Sequence, residues 1–504
     1  MAKTIYIGDN IITMAPTQSV NAVLVENDKI IAVGSKQDLM TLCDAKTEKV
    51  ELGKRTLLPA FIDSHSHFTA VAVSFIKSSL DSCTSFDDIA KQLKDFIQTN
   101  NIKRGEWVQG QGYDHNRLKE HEHPTKQLLD KILPDNPVII SHQSGHMGVL
   151  NSRALELLNI ESNSGYFEEG MYMSILNKVP MPTPKELEGA YDKAQKLYAQ
   201  NGITTVQEGM LNSQMAPLLQ SYKSKLYLDL IAYIDIRDLK TIDSFKGAIN
   251  KFDGRIKIGG FKLFLDGSPQ GKTAWMLDDY LSQPGYRGKP EHTDDEVIAA
   301  INTAKQYNMQ IITHCNGDAA ARQLLICLEK ANFPKSLRPV MIHAQFLRPE
   351  DMPRVKRLGV IPSFFIAHIL HWGDTHIQNF GLERASQISP AASAEKFDIP
   401  FTFHQDSPVI KPDMLETVAC AVNRKTKSGA VLGKEQRISV YSALKAVTIN
   451  SAFQYFEQNK LGSIEPGKSA DLVILSSNPI TNSTSLENIE VLSTIKDGKI
   501  IFTR

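Results

Sequence analysis

The chain has 504 residues, too many for one small core, and its length predicts one large domain with a smaller one, or two to three domains. Lys plus Arg and Asp plus Glu number 56 each, so charge gives no reason to expect binding to nucleic acid or to a membrane surface. No apolar run is long enough to span a membrane, and the N-terminus lacks a signal peptide's apolar core. The five cysteines are scattered and odd in number, which is typical of reduced thiols. We therefore expect a soluble, cytoplasmic enzyme.

Both ends of the chain have the alternating pattern of short strands joined by turns. Asn27-Asp28 separates two such strands near the N-terminus, and Asp497-Gly498 separates two near the C-terminus. Strands at both ends would otherwise leave unpaired edges. Residues 1–57 and 456–504 are therefore predicted to be the two parts of one small β-sandwich.

The middle of the chain, residues 58–455, alternates apolar runs with helical stretches, which is typical of βα units around a parallel sheet. Eight near-continuous apolar runs predict a (β/α)₈ TIM barrel, an α/β fold whose strands are buried on both faces. The gap after the first strand is too long for one helix, so an inserted subdomain is predicted at about residues 100–185. The candidate strands are Leu57–Asp63, Thr204–Glu208, Leu226–Ile234, Ile258–Asp266, Gln310–His314, Pro339–His343, Val360–Ile366 and Pro400–Gln405.

His65 and His67 end the first apolar run. Side chains two positions apart on a strand point the same way, so these two imidazoles can hold one metal ion. A His-x-His pair also occurs on ordinary surface strands, and the pair alone leaves both interpretations open. The residues at the ends of the later strands decide between a metal site and an ordinary surface strand.

Four more candidate ligands lie at those later ends, where the active sites of barrel enzymes are found. The fourth strand contains Lys262, the fifth ends at His314, the sixth ends at His343, and the eighth leads into Asp406. Taken singly, each histidine is compatible with a hydrogen-bonded core residue that has no metal-binding role. Asp406 alone is compatible with a residue that caps a helix or forms a turn. Their coincidence at successive strand ends favours a metal site.

Lys262 also has an alternative to metal binding, because an ammonium on an apolar strand must be paired with an anion. An internal ion pair with Asp266 or Glu208 would satisfy it.

Several motifs lie at these strand ends and elsewhere along the chain: Asp63-Ser64-His65-Ser66-His67, Ser144-Gly145-His146, Lys262-Leu263-Phe264-Leu265-Asp266-Gly267, His314-Cys315-Asn316-Gly317-Asp318, His343-Ala344-Gln345, Asp406-Ser407-Pro408 and Ala470-Asp471-Leu472-Val473. With these motifs the chain resembles the amidohydrolase superfamily of metal-dependent barrel hydrolases, and within it the amidohydrolase 3 branch, which is similar to N-substituted formamide deformylases. One departure is Ala60 in Pro59-Ala60-Phe61, where the family usually has glycine.

The resemblance implies a site with two divalent metal ions, zinc being the expected metal. It implies that His65 and His67 hold one ion with Asp406, and that His314 and His343 hold the second. Lys262, carboxylated by carbon dioxide, would bridge both, because a carbamate is an anionic ligand whereas an ammonium repels cations. A one-metal site with unmodified Lys262 stays open.

The resemblance also implies roles in catalysis. Asp406 is expected to act as general base towards water activated by the metals, and then to protonate the leaving nitrogen. His146, in the insertion, is the candidate for stabilising the oxyanion, with a purely structural role as its alternative. Asp318 is expected to orient His314 or a neighbouring loop, and Cys315 to face away from the metals.

These features predict a hydrolase of carbon–nitrogen bonds other than peptide bonds, acting on a small-molecule amide or N-formyl or N-acyl amine. A mononuclear deaminase of a cyclic amidine or heterocycle is the alternative, and a catalytically dead scaffold is a weaker one. The sequence leaves the oligomeric state open, with a homodimer among the options.

Overall fold

The computed structural model describes residues 3–16, 20–143, 147–176, 178–180, 183–483 and 486–504. They divide into two compact units, one formed by residues 1–69 with 195–504 and the other by residues 70–194. Among the described segments, no helix combines the length and the apolar character that crossing a bilayer requires.

The first unit contains an eight-stranded sheet whose neighbouring strands are all parallel. Its strands are almost wholly buried, which explains why they appear in the sequence as apolar runs. The sheet follows chain order, as a TIM-like barrel does. Its strands are Phe61–Ile62, Ile203–Leu211, Asp229–Asp235, Ile256–Phe264, Gln310–Cys315, Val340–His343, Ile361–Phe364 and Thr402–Phe403.

The sheet curls until the segments that follow its first and last strands are hydrogen bonded to each other. The amide of Asp406 donates to the carbonyl of His65 at 3.2 Å, and the amide of His67 donates to the carbonyl of Ser407 at 2.8 Å. The Ser64 hydroxyl donates to the carbonyl of Phe403 at 2.9 Å. These bonds bring residues 65–67 and 406, more than 300 positions apart, into one place.

The ends of the chain form two four-stranded sheets, the first from N-terminal strands alone and the second from three C-terminal strands with one N-terminal strand. Their buried side chains share one apolar cluster, which includes Val23 and Leu57 from the N-terminal part and Leu472 and Ile495 from the C-terminal part. The first sheet consists of Lys29–Gly34, Ala22–Glu26, Lys3–Ile7 and Glu48–Glu51, and the second of Lys499–Thr503, Val491–Lys496, Leu472–Leu475 and Thr56–Pro59, each in spatial order.

The first predicted strand, Leu57–Asp63, differs from the structure because it is divided in two. Thr56–Pro59 pairs antiparallel with Leu472–Leu475 in a terminal sheet, and only Phe61–Ile62 joins the parallel sheet. The amide of Ala60, at the division, donates to the carbonyl of Asp471. One apolar run therefore supplies strands to two sheets.

The second unit, residues 70–194, has a five-stranded mixed sheet of its own, with a separate apolar core. Its limits differ from the predicted insertion at about 100–185, because the segment from residue 70 onward already packs into this unit. The strands in spatial order are Tyr166–Glu168, Met147–Leu150, Val138–His142, Val108–Tyr113 and Ser78–Ser79.

Helices connect the strands in both units. A typical example is Asp294–Gln306, which begins with a capping box between Thr293 and Glu296. The α-helices are Lys36–Met40, Phe68–Ser74, Phe86–Asn100, Lys126–Ile132, Ser152–Leu158, Glu169–Leu176, Pro184–Gln200, Ala216–Tyr222, Asp294–Gln306, Asp318–Lys330, Met352–Leu358, His368–Ser386, Ala391–Lys396, Met414–Asn423, Val440–Ala446 and Ile449–Gln454.

Candidate metal centre

All six predicted ligands lie in the first unit, at or near the carboxyl ends of strands of the parallel sheet. The structure brings them within contact distance of one another. His65 and His67 follow the first strand, Lys262 lies in Ile256–Phe264, His314 in Gln310–Cys315, His343 ends Val340–His343, and Asp406 follows Thr402–Phe403.

One half of the site is built around a single carboxylate oxygen. Oδ1 of Asp406 lies 3.5 Å from Nε2 of His65 and 3.4 Å from Nε2 of His67. This oxygen is buried and has no hydrogen-bond partner among the described residues. An orphaned anionic oxygen facing two imidazole nitrogens is costly unless a cation occupies the space between them.

The other half is formed by His314 and His343. Nδ1 of His314 lies 3.1 Å from Nε2 of His343, and that Nε2 lies 3.9 Å from Oδ2 of Asp406. Oδ1 of Asp406 therefore faces His65 and His67 while Oδ2 faces His343, and this carboxylate connects the halves.

The tautomer of His65 is set by Gln207. The amide nitrogen of Gln207 donates to the carbonyl of Ser64 and to the hydroxyl of Tyr455, both at 2.8 Å. Its oxygen is left to accept from Nδ1 of His65. Nε2 of His65 consequently carries a lone pair, and this lone pair faces Asp406.

The tautomer of His343 is set by a chain of hydrogen bonds. The Ser64 hydroxyl donates to the carbonyl of Phe403, so it accepts from Ser363 at 3.2 Å. Ser363 then accepts from Nδ1 of His404 at 2.8 Å, and Nε2 of His404 accepts from Nδ1 of His343 at 3.1 Å. Nε2 of His343 is left unprotonated.

His314 completes the pattern. Its Nε2 lies 3.1 Å from the carbonyl oxygen of Gly267 and 3.0 Å from Nδ2 of Asn316. When Nε2 carries the proton, it donates to the carbonyl, and the lone pair on Nδ1 of His314 then faces the lone pair on Nε2 of His343. Facing lone pairs repel unless a cation lies between them, and neutral imidazole nitrogens are common metal ligands.

The electrostatics favour the neutral imidazoles that metal binding requires. Burial, with Lys262 nearby, lowers the pKa of His314 to about 4. Burial and the neighbouring imidazoles hold the pKa of His343 well below its ordinary value. Burial acts to raise the pKa of Asp406, but the nearby His67 and Lys262 outweigh it, so the pKa stays below its ordinary value and the carboxylate is ionised.

Lys262 is fully buried and turns towards the histidines. Its Nζ lies 3.1 Å from Nε2 of His65, and burial lowers its pKa to about 8. The ion pairs with Asp266 or Glu208 that the sequence left open do not form between these residues. Asp266 instead accepts from the amides of Trp275, Asn316 and Gly317.

The backbone around the site is held in unusual geometry. His343 and Asp406 have φ values of +69° and +54°, in the left-handed region that costs a residue with a Cβ about 1 kcal/mol or more. Gly209 lies against the His-x-His segment. A Cβ there would come 2.7 Å from Cε1 of His65, so only glycine fits this close approach.

Asp318 is the first residue of the helix Asp318–Lys330. Its Oδ1 accepts from the amide of Leu277 at 2.7 Å, and its Oδ2 accepts from Arg348. Asp266, 3.7 Å from Nε2 of His314, is the carboxylate nearer the ligand. Cys315 is fully buried. His146 lies outside the described residues, so its predicted role is not addressed by the structure.

Sequence reasoning missed Gln207, Ser363 and His404 as positioning residues. The first two look like ordinary strand residues, and only the position of His404 two residues before Asp406 offered a signal. Their importance comes from contacts across the sheet.

The chain belongs to the amidohydrolase family, because the model of that family matches residues 48–502. The putative amidohydrolase YtcJ of Bacillus subtilis is 25% identical and covers 100% of both chains. N-substituted formamide deformylase of Arthrobacter pascens is 24% identical over 100% of this chain and 99% of its own. An uncharacterized metal-dependent hydrolase from Pyrococcus furiosus has a solved structure that matches with a TM-score of 0.80 at 25% identity, over 95% of this chain and 100% of that one.

These matches confirm the resemblance found in the sequence. The protein is a hydrolase, and its family together with the convergent ligand groups supports dependence on a divalent metal.

Replacing Gln207 by Leu should weaken metal binding without removing a ligand. The variant loses the acceptor that fixes the His65 tautomer, and we expect metal affinity to fall about 10–100-fold. Competition with a chromophoric chelator measures this affinity. Gln195→Leu is the matched control, because Gln195 is equally buried but bonds Tyr222 and a loop carbonyl. Equal affinities in the two variants would contradict the positioning role.

Proposed function

We propose that this enzyme hydrolyses a carbon–nitrogen bond other than a peptide bond, in an amide or an N-formyl or N-acyl amine, with two divalent metal ions. The observation that carries the proposal is the convergence of imidazole nitrogens on the two oxygens of Asp406. The similarity to a protein named N-substituted formamide deformylase supports the choice of bond.

The donor set fits two ions. His65, His67 and Asp406 would hold the first, and His314 and His343 the second. Imidazole nitrogens with carboxylate oxygen suit zinc, which we propose as the metal.

Lys262 fits this site as a carbamate. An ammonium 3.1 Å from a ligand nitrogen would repel a cation, whereas a carbamate supplies anionic oxygens that can bridge two ions. The lowered pKa raises the fraction of Lys262 that is the neutral amine. Its lone pair forms a bond to the carbon of carbon dioxide, and the amine releases a proton.

When bound, the metals lower the pKa of water and polarise the substrate carbonyl. The ionised carboxylate of Asp406 accepts the proton of the attacking water and then donates it to the leaving nitrogen. The chain Ser64–Ser363–His404 holds the His343 ring in place during this transfer. His146 is retained as the proposed partner of the oxyanion.

A substrate screen of the zinc-loaded enzyme tests this proposal. N-formyl amines, N-acyl amines and heterocyclic amines are supplied in parallel, and the products are quantified. The proposal expects release of the free amine and the carboxylic acid from the first two groups. Ammonia released from heterocyclic amines alone, with one metal and an unmodified Lys262, would favour the deaminase instead.

We further propose the finer organisation predicted from the sequence. The parallel sheet forms a closed (β/α)₈ barrel, and the two terminal sheets, which share an apolar cluster, form one β-sandwich. We also propose that the substrate is a small molecule. The protein is proposed to be a cytoplasmic homodimer. Size-exclusion chromatography with light scattering tests the homodimer.

A further inference from the structure

A second group of metal-type ligands lies within the unit of residues 70–194. Asp114 and His115 directly follow the strand Val108–Tyr113, and His142 ends the neighbouring strand Val138–His142. The two strands are parallel, with Tyr113 paired to His142. Their carboxyl ends therefore bring the three side chains together, although 26 residues separate His115 from His142.

The distances between the ligand atoms match the dimensions of a tetrahedral site. Nδ1 of His115 lies 3.3 Å from Nε2 of His142. Oδ1 of Asp114 lies 3.6 Å from that Nε2 and 4.0 Å from Nδ1 of His115. Ligands about 2.1 Å from a tetrahedral zinc ion are about 3.4 Å apart, so small side-chain movements complete the geometry.

Neighbouring residues hold the ligands in these positions. Oδ1 of Asp114 accepts from the amide of Asn116 at 3.0 Å, while Arg117 lies 3.5 Å from the other oxygen, Oδ2. The ring of His115 stacks on His123 with centroids 4.0 Å apart. His123 is in turn fixed by the hydroxyl of Tyr113 at 3.1 Å.

The three side chains are partly buried, but solvent still reaches them. The side chains of Asp114, His115 and His142 are 21%, 28% and 11% exposed, which leaves a path for an ion from solvent. Burial lowers the pKa of His142, which favours the neutral form of this ligand. Aspartate oxygen with two imidazole nitrogens is a ligand set that zinc and similar divalent ions accept.

We propose that Asp114, His115 and His142 form a binding site for one divalent transition-metal ion of the zinc class. The ion joins the carboxyl ends of two strands of residues 70–194 through Oδ1 of Asp114, Nδ1 of His115 and Nε2 of His142. This site is additional to the six ligands of the first unit and does not depend on the reaction proposed for them.

Metal counting on the full chain tests the proposal. The protein is stripped with a chelator and titrated with Zn²⁺ alone, and bound zinc per chain is measured by equilibrium dialysis and mass spectrometry. His142→Ala and, separately, His115→Ala should each bind about one zinc ion fewer than the wild type. His121→Ala is the matched control, because this exposed histidine of the same unit lies outside the group, and it should lose none.

Circular dichroism shows which variants are folded, and the second substitution keeps the test decisive if the first fails to fold. Folded His142→Ala or His115→Ala that binds as much zinc as the wild type would overturn the proposal. The difference in zinc count is independent of catalysis, so loss of the proposed activity leaves the test intact.

Discussion

Asp406→Asn should retain the fold and most of the metal and yet lose turnover, with kcat lower by about 10²–10⁴-fold. The asparagine oxygen still faces His65 and His67, from which Oδ1 of Asp406 lies 3.5 and 3.4 Å. An amide cannot accept the proton of water or pass it to the leaving nitrogen. Steady-state kinetics and metal content, measured on the same preparation, check this result.

Asp413→Asn is the matched control for that variant. Asp413 lies seven residues further along and caps the helix Met414–Asn423 by accepting from the amide of Glu416. Asparagine caps helices about as well as aspartate, so stability and kcat should change little. A wild-type-like rate in Asp406→Asn would overturn the assigned mechanism.

Lys262→Met should lower the metal content by about one ion per chain and reduce kcat by about 100-fold or more. Methionine fills a similar volume on the buried strand but offers no amine to carry a carbamate. The site would therefore lose its bridging anion, and two cations would face each other with less negative charge between them. Metal analysis, kinetics and the mass of the peptide containing residue 262 check the result.

Lys257 provides the contrasting variant, because it is a second buried lysine on the same strand. Its Nζ lies 2.5 Å from Glu457. Lys257 is five positions before Lys262 on the strand, at the end opposite the metal ligands. Lys257→Met should lower the free energy of unfolding by about 3 kcal/mol, because the buried carboxylate of Glu457 then keeps only Lys460, 3.5 Å away, with metal content unchanged. The carbamate would be contradicted if Lys262 of the wild type were unmodified and Lys262→Met kept its full metal content.

Sequence reasoning located the parallel sheet because its strands are buried on both faces and so appear as continuous apolar runs. Predicted Pro339–His343 and observed Val340–His343 differ by one residue, and the order of the eight strands agrees. The ligand candidates were visible for a related reason. A polar or charged residue inside or just after an apolar run, such as Lys262, is conspicuous.

Contacts between distant segments were not predictable in the same way. The run Leu57–Asp63 has no internal sign that its first part pairs with Leu472–Leu475. Gln207 acts on His65 from 142 positions away, and His404 acts on His343 from 61 positions away. Gln207 does not differ locally from a residue that only fills a core, and the one local signal for His404 is its position two residues before Asp406, so both roles became visible only with the fold.

We expect two metal ions between the histidine pairs and Asp406. X-ray diffraction from zinc-loaded crystals, recorded at the zinc absorption edge, locates them. One anomalous peak should be bounded by His65, His67 and Asp406 and a second by His314 and His343, with carbamate density on Lys262 joining them. A hydrolytically active crystal form with no anomalous peak among these six residues would contradict this expectation.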